Sequence, residues 1–314
     1  MAEKYLITGA GGQIGSELSI ALAARYDSSN VIIAGHRKPL PPEIENSGHV
    51  ITLDVCDPQA LEAIVERYGI TTIYHLAGVL SVIAESHPHK AWDINVNGLR
   101  NILEVSAKHG CAVFFPSSIG AFGPQTPPDN TPQETIQRPS TIYGITKVAG
   151  ELLCDYYHNR YGVDTRGLRF PGLISYLAPP GGGTTDYAVE IFHDAVNGRE
   201  HKCFLAAGTF LDMMYMPDAI KAIIRLMEAD PSTLIHRNAY NITAMSFDPE
   251  AICAEIQKHI PLFTMSYNVD SEKQAIADSW PNKMDDSAAR SEWGWNPHYD
   301  LPAMVVEMLK NITP

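Results

Sequence analysis

Through the first half of the chain, short apolar runs alternate with longer stretches in which apolar residues recur every three or four positions. "KYLITG" (4–9), "NVIIAG" (30–35), "HVITLD" (49–54), "TIYHLAG" (72–78) and "CAVFFPSS" (111–118) are rich in β-branched and aromatic residues and bounded by turn formers, which predicts buried strands. Between most of them lie helical patterns, among them 13–26, 58–68 and 91–109. Strand and helix alternating in this way predict a parallel sheet covered on both faces. A sixth strand is expected at "VDTRGLRF" (163–170). Beyond it the alternation loosens, Gly and Pro cluster at 179–183, and shorter elements continue to the end. No repeat, low-complexity tract or linker interrupts the chain, so its later part is expected to pack on the first as a smaller lobe.

Composition narrows the chemistry. The 314 residues are 45% hydrophobic and 19% charged, enough for one large α/β domain or two smaller ones. The 36 acidic residues against 23 basic ones give a formal charge of −13 without any Lys/Arg run, which argues against nucleic acid or an anionic membrane as partner. Small molecules remain. The chain shows neither a charged start followed by an apolar segment nor an apolar run of membrane-spanning length, so a cytoplasmic protein is expected. Five cysteines, Cys56, Cys111, Cys154, Cys203 and Cys253, are scattered and never form C-x-x-C. Buried thiols are the simplest reading, and neither a disulfide framework nor a metal site is expected.

Two local patterns carry chemistry. The first strand runs into "TGAGGQIG" (8–15), which sets Gly9, Gly12 and Gly15 as G-x-x-G-x-x-G just before a helical pattern. Glycines there permit a tight turn and let backbone N–H groups approach a pyrophosphate at the positive end of the helix. Further on, "STIYGITK" (140–147) places Tyr143 and Lys147 four positions apart, on one face if the segment is helical. A surface pair would have the same spacing. Taken as chemistry, a cationic neighbour and a positively charged cofactor ring would favour the phenolate, lowering a phenol pKa from its ordinary ~10 towards working pH.

Spaced G-x-x-G-x-x-G, the first pattern resembles the extended branch of the short-chain dehydrogenase/reductase superfamily. Asp54 and Val55 after the third strand resemble its adenine contact, and Leu76, Ala77 and Gly78 fall in its fourth-strand motif. Ser117, Ser118 and Gly123 match the end of its fifth strand, while Tyr143 and Lys147 fall where its catalytic pair belongs. The resemblance implies an α/β fold: a Rossmann-type doubly wound parallel sheet (1–170, with some later segments) and a smaller C-terminal substrate-binding lobe (171–314). It implies Tyr143 as general base, Lys147 as its electrostatic partner and holder of the nicotinamide ribose, and Ser118 as the hydroxyl that orients the substrate oxygen. Gln13, Ile14, Arg37, Asn95 and Pro171 join the implied cofactor site. Asn95 and Asn97, in "DINVNG", are read either as braces of the site or as surface residues.

A narrower resemblance covers nearly the whole chain. "RFPGLIS", "PPGGGTTDYAVEIF", "MMYMPDAI", "YNITAMSF" and "ADSWPNKMDDSAARSEWGW" are similar to the L-threonine 3-dehydrogenases of the extended short-chain type. That family implies NAD-dependent oxidation of the C3 hydroxyl of L-threonine to 2-amino-3-ketobutyrate, in a homodimer built through the helices beginning near Ala91 and Ile142. Gly183, Thr184 and Thr185, at a glycine-rich loop before a helix, would meet the substrate carboxylate, although a Thr N-cap would have the same sequence. Ser81 would be a further polar contact, with a helix N-cap as its plainer reading, and Trp280 would wall the site or simply fill the core.

One position departs from the family. A carboxylate is expected at the end of the second strand to hold the adenosine ribose, but the chain has Gly35, followed by His36, Arg37 and Lys38. NAD remains the expected cofactor, with NADP or dual use open because nothing acidic repels a 2′-phosphate. Two rivals share the scaffold: a nucleotide-sugar epimerase or dehydratase, which would need cations for a second diphosphate, and a nicotinamide-sensing protein without turnover.

Overall fold

A computed structural model describes residues 3–36, 40–177 and 183–312. Its first half builds β1 (Tyr5–Thr8), α1 (Gln13–Tyr26), β2 (Val31–Gly35), α2 (Pro42–Glu45), β3 (His49–Thr52), α3 (Pro58–Tyr68), β4 (Thr72–His75), α4 (Ser81–Ser86), α5 (Pro88–Trp92), α6 (Gly98–His109), β5 (Ala112–Ser118), α7 (Ile142–Tyr161) and β6 (Thr165–Phe170). The later part adds β7 (Gly172–Ile174), α8 (Tyr187–Val196), β8 (His201–Cys203), β9 (Leu211–Tyr215), α9 (Met216–Glu228), β10 (Tyr240–Asn241) and β11 (Met245–Phe247). It ends with α10 (Pro249–Gln257), β12 (Met265–Tyr267), α11 (Ser271–Ala277), α12 (Ser287–Trp293) and α13 (Leu301–Asn311).

Seven parallel strands form the main sheet in the order β10-β6-β5-β4-β1-β2-β3. The order reverses between β1 and β4, and such a switch point leaves a crevice at the carboxyl ends of the strands. Both faces are covered, which is why β1 and β6 are apolar or buried at every position rather than alternating. One face packs Leu18 and Leu22 of α1 with Ile223 and Leu226 of α9, and the other packs Leu61, Leu99, Leu103 and Cys154 of α3, α6 and α7. A third apolar cluster belongs to the smaller lobe, where Tyr187, Ile191 and Phe192 of α8 meet Ile252 of α10 and Met304 of α13.

From the later half, strand β10 pairs with β6 in the main sheet. Two sequence expectations change. The helix expected at 91–109 is broken by a π-helical turn, Asp93–Asn97, between α5 and α6; such turns widen the helix to redirect a side chain, here Asn95. Cys56 is exposed in the turn after β3, whereas the other four cysteines are buried. Among the described residues, no helix is long and apolar enough to cross a membrane.

Candidate active site

The switch-point crevice holds a cleft of about 240 Å³ that runs from the β1–α1 loop, past the ends of β4 and β5 and the first turns of α7, to the segment before α8. Gly9 makes the turn at the end of β1 with φ +69, where a Cβ would fall 2.6 Å from the backbone N of Ala77. Helix α1 begins with Gly12 at its N-cap, no side-chain cap and no acidic residue in its first turn. Its free N–H groups and positive dipole end therefore face the cleft, as a pyrophosphate requires.

Opposite, α7 starts against the end of β5. The Thr141 hydroxyl caps it by accepting from the Gly144 N–H at 3.1 Å. Gly144 allows the approach: a Cβ there would stand 2.1 Å from the Gly120 carbonyl oxygen. Tyr143 consequently packs over the turn that follows Ser118, close enough for the Ser118 hydroxyl to favour its phenolate. Ser118 also accepts from the Gly120 N–H at 3.1 Å.

Lys147, one turn on, is half-buried. Its Nζ donates to the Pro116 carbonyl at 2.6 Å and lies 5.4 Å from the Tyr143 ring centroid. Burial lowers the Lys147 pKa to about 8, while Glu151 and Cys154 oppose that shift. Burial raises that of Tyr143, with Ser118 pulling the other way. The lowering of Tyr143 expected from Lys147 is therefore not present. The ammonium points at a carbonyl rather than at the phenol, and desolvation dominates.

Gln13, Ile14, Gly15, Leu76, Gly78, Ser81, Ser117, Pro171, Gly183, Thr184, Thr185 and Trp280 all line this cleft. Thr184 is fully buried and its Oγ1 has no hydrogen-bond partner among the described residues, which is costly unless a ligand supplies one. Ser81 is the first residue of α4, whose N-cap is Leu80, so the N-cap reading of Ser81 does not hold. Likewise the N-cap of α8 is Asp186, not Thr185, and it accepts from the Gly183 N–H at 2.7 Å. Trp280 is buried with the third apolar cluster, four residues before Met284. The Met284 N–H donates to the buried Asp212 at 2.8 Å and Thr243 donates to the other oxygen at 2.6 Å, and burial pushes that carboxyl up to about 8.

Other sequence candidates lie elsewhere. Asn95 does not line the cleft; its amide accepts from Val79 N at 2.7 Å and donates to Val79 O and to Thr146 Oγ1, both at 3.1 Å. This is the brace reading, tying the loop after β4 to α7. Asn97 donates to Asp93 on the surface. Asp54 accepts from Cys56 N and faces His36 at 3.5 Å, and neither it nor Val55 nor Ala77 lines the cleft. Arg37, Lys38, Gly181 and Gly182 fall outside the described residues.

Leu80, Ile119, Leu173 and Asp186 line the cleft without having been singled out in the sequence. Leu80 and Ile119 each follow a recognised motif by two residues or fewer, which was the available signal. A larger cleft of about 620 Å³ opens at the opposite ends of the strands, among Tyr5, Tyr26, Tyr74 and Glu228. Size does not decide between them, because ligands of open parallel sheets bind at the carboxyl edge. The described residues also bring Glu62, Glu66 and His109 together, but none lines the active cleft and Glu62 already pairs with Lys108.

Sheet order, uncapped α1 and the Ser-Tyr-Lys grouping define a dinucleotide-dependent enzyme of the short-chain type. The chain belongs to the NAD dependent epimerase/dehydratase family, which matches residues 5–243. At 54% identity and a TM-score of 0.96, it is similar to an L-threonine dehydrogenase from Clostridium difficile, over 99% of this chain and 97% of that one. The GalE-like L-threonine dehydrogenase from Cupriavidus necator is 50% identical, over 98% of this chain and 99% of that one, with a TM-score of 0.95. An uncharacterized epimerase/dehydratase of Staphylococcus haemolyticus is 53% identical, over 99% of this chain and 98% of its own.

Proposed function

We propose that the protein is an NAD-dependent L-threonine 3-dehydrogenase that oxidises the C3 hydroxyl of L-threonine to 2-amino-3-ketobutyrate. One observation carries this reading: a single cleft sets Ser118, Tyr143 and Lys147 between an uncapped helix N-terminus and the unpartnered Thr184 hydroxyl. The two L-threonine dehydrogenases above support it. The uncapped N–H groups of α1 fit a pyrophosphate, so Gly12, Gln13 and Ile14 would hold the dinucleotide there, and Lys147 would hold its ribose. When bound, the nicotinamide supplies the hydride acceptor.

The chain's own residues then handle the proton. Ser118 orients the substrate hydroxyl towards Tyr143, and Tyr143 Oη, as phenolate, takes its proton. Thr184 and Thr185 receive the carboxylate of the amino acid, and Ser81 and Trp280 close the remaining sides of the cleft. Burial keeps water away from these groups and strengthens each polar contact.

NAD is the assigned cofactor, with weak discrimination against NADP because Gly35 offers the ribose no carboxylate. Among the described residues lining the cleft, Lys147 is the one cation, which disfavours a nucleotide-sugar diphosphate as substrate. A homodimer is assigned to the face formed by α4, α5 and α7. Ile145, Leu152 and Tyr156 of α7 are exposed beside Ile83 and Trp92, and a second copy would bury this stripe isologously.

The test is reduction of NAD and of NADP by the purified protein with L-threonine at mildly alkaline pH. Turnover with L-threonine is expected, and faster with NAD. Cofactor binding without turnover of any 3-hydroxy amino acid would overturn the reading, and a co-purified nucleotide sugar would replace it.

A further inference from the structure

One turn beyond Lys147 on α7, Glu151 is almost completely buried. Four donors converge on its two oxygens. Ser117 Oγ and Arg169 Nε reach Oε1, the latter at 3.0 Å, while Arg169 Nη2 and Gln137 Nε2 reach Oε2 at 2.8 and 2.7 Å. With donors on every side and no acceptor, the group sits there as a carboxylate. Arg169, on β6, continues the network to Gln133 O at 2.8 Å and to Asn241 Oδ1 on β10 at 3.1 Å.

These contacts meet the catalytic groups at two points. Ser117 is the residue next to Ser118, and Lys147 donates to the carbonyl of Pro116, the residue before Ser117. We propose that Glu151 is a positioning residue of this active site: it is the buried counter-charge of Lys147 and the clamp that registers the catalytic helix α7 against the end of β5. The proposal rests on the role given to Lys147 above.

Among the described residues, the surroundings of Lys147 identify no other group in that role. On its own helix, Cys154 is a thiol that burial holds protonated, and Tyr143 is a phenol that burial also holds protonated. From β4, His75 is kept neutral, its pKa lowered to about 3 by burial and by the Lys147 charge. From β6, Arg169 carries the wrong sign and is tied to Glu151. Asp155 points away to Asn238 at 3.4 Å, and Glu134 acts on Asp155 rather than on Lys147. Burial drives the ammonium towards losing its proton and Glu151 opposes it. Removing the carboxylate would therefore take away the group that opposes loss of the Lys147 proton and leave the buried Arg169 guanidinium without its partner.

The experiment follows the Lys147 titration in the cofactor-free protein, using lysine labelled with carbon-13 at Cε and Lys147→Met to assign the signal. Glu151→Gln is expected to move the titration towards acid by about one pH unit, a ~10-fold loss of proton affinity, and Glu151→Asp to recover part of it. Because Glu151→Gln leaves Arg169 unpaired and is a risk to folding, the paired variant Glu151→Gln/Arg169→Gln removes both charges, and its titration is expected to move the same way. An unmoved Lys147 titration in either folded variant overturns the proposal. Because the readout needs neither cofactor nor threonine, failure of the threonine assignment would leave this result standing.

Discussion

At Gly35 a missing side chain has a chemical rather than a steric meaning. Its φ is not in the left-handed region, and a Cβ there would make only ordinary contact, 3.6 Å from the Leu40 side chain. The backbone at this position therefore does not demand a glycine, and the neighbouring His36 faces Asp54. Gly35→Asp is expected to raise the preference for NAD over NADP about ten-fold through new bonds to the ribose hydroxyls; an unchanged ratio of kcat/KM values would place the selector elsewhere. Tyr143 and Lys147 set the pH response. Burial raises the phenol, so activity should climb with pH as phenolate forms. Burial lowers Lys147 to about 8, so the climb should level off near there as the ammonium loses its proton. In Tyr143→Phe the climb should vanish and turnover should fall about 10²–10⁴-fold, with cofactor binding retained in a fluorescence titration.

Among the elements, α7 and the turn after β5 act as one unit. Their contact depends on backbone meeting backbone at Gly120 and Gly144, with Asn95 of the π-helical turn holding the other side through Thr146. Gly144→Ala would drive a methyl to within 2.1 Å of the Gly120 carbonyl and 2.5 Å of the Pro139 side chain. Because backbone cannot rotate aside, α7 must shift, at a cost of about 1–3 kcal/mol. A lower melting temperature together with a fall in kcat larger than the change in cofactor affinity is expected. Normal kcat in this variant would show that Tyr143 and Ser118 tolerate displacement.

For the whole molecule, the question is what covers the outer face of α7. Leu152, Tyr156 and Ile145 are spaced along one side of this helix and remain exposed while its other side is buried against β5 and α6. A charge placed at the centre of an apolar contact is expensive to desolvate. Leu152→Glu should therefore convert a dimer into a monomer in sedimentation velocity without lowering the monomer's helix content. A wild-type protein that already sediments as a monomer would refute the assigned face.

Sequence alone determined the alternating fold, the glycine turn and the Tyr143–Lys147 spacing, because these depend on periodicity and on local backbone freedom over a few residues. The edges of α1 and α3 follow for the same reason: Gln13–Tyr26 and Pro58–Tyr68 begin and end at local signals of turn and cap. The tertiary structure decided what depends on distant partners. Asn95 became a brace because a π-helical turn aimed it at Val79. Tyr143 is raised rather than lowered because its burial outweighs a lysine directed at Pro116. Glu151 reads in the sequence as an ordinary helical acid, four residues after Lys147. Only the packing of α7 on β5 and β6 surrounds it with Ser117, Gln137 and Arg169, since donors from three segments far apart in the chain cannot be inferred from any local pattern.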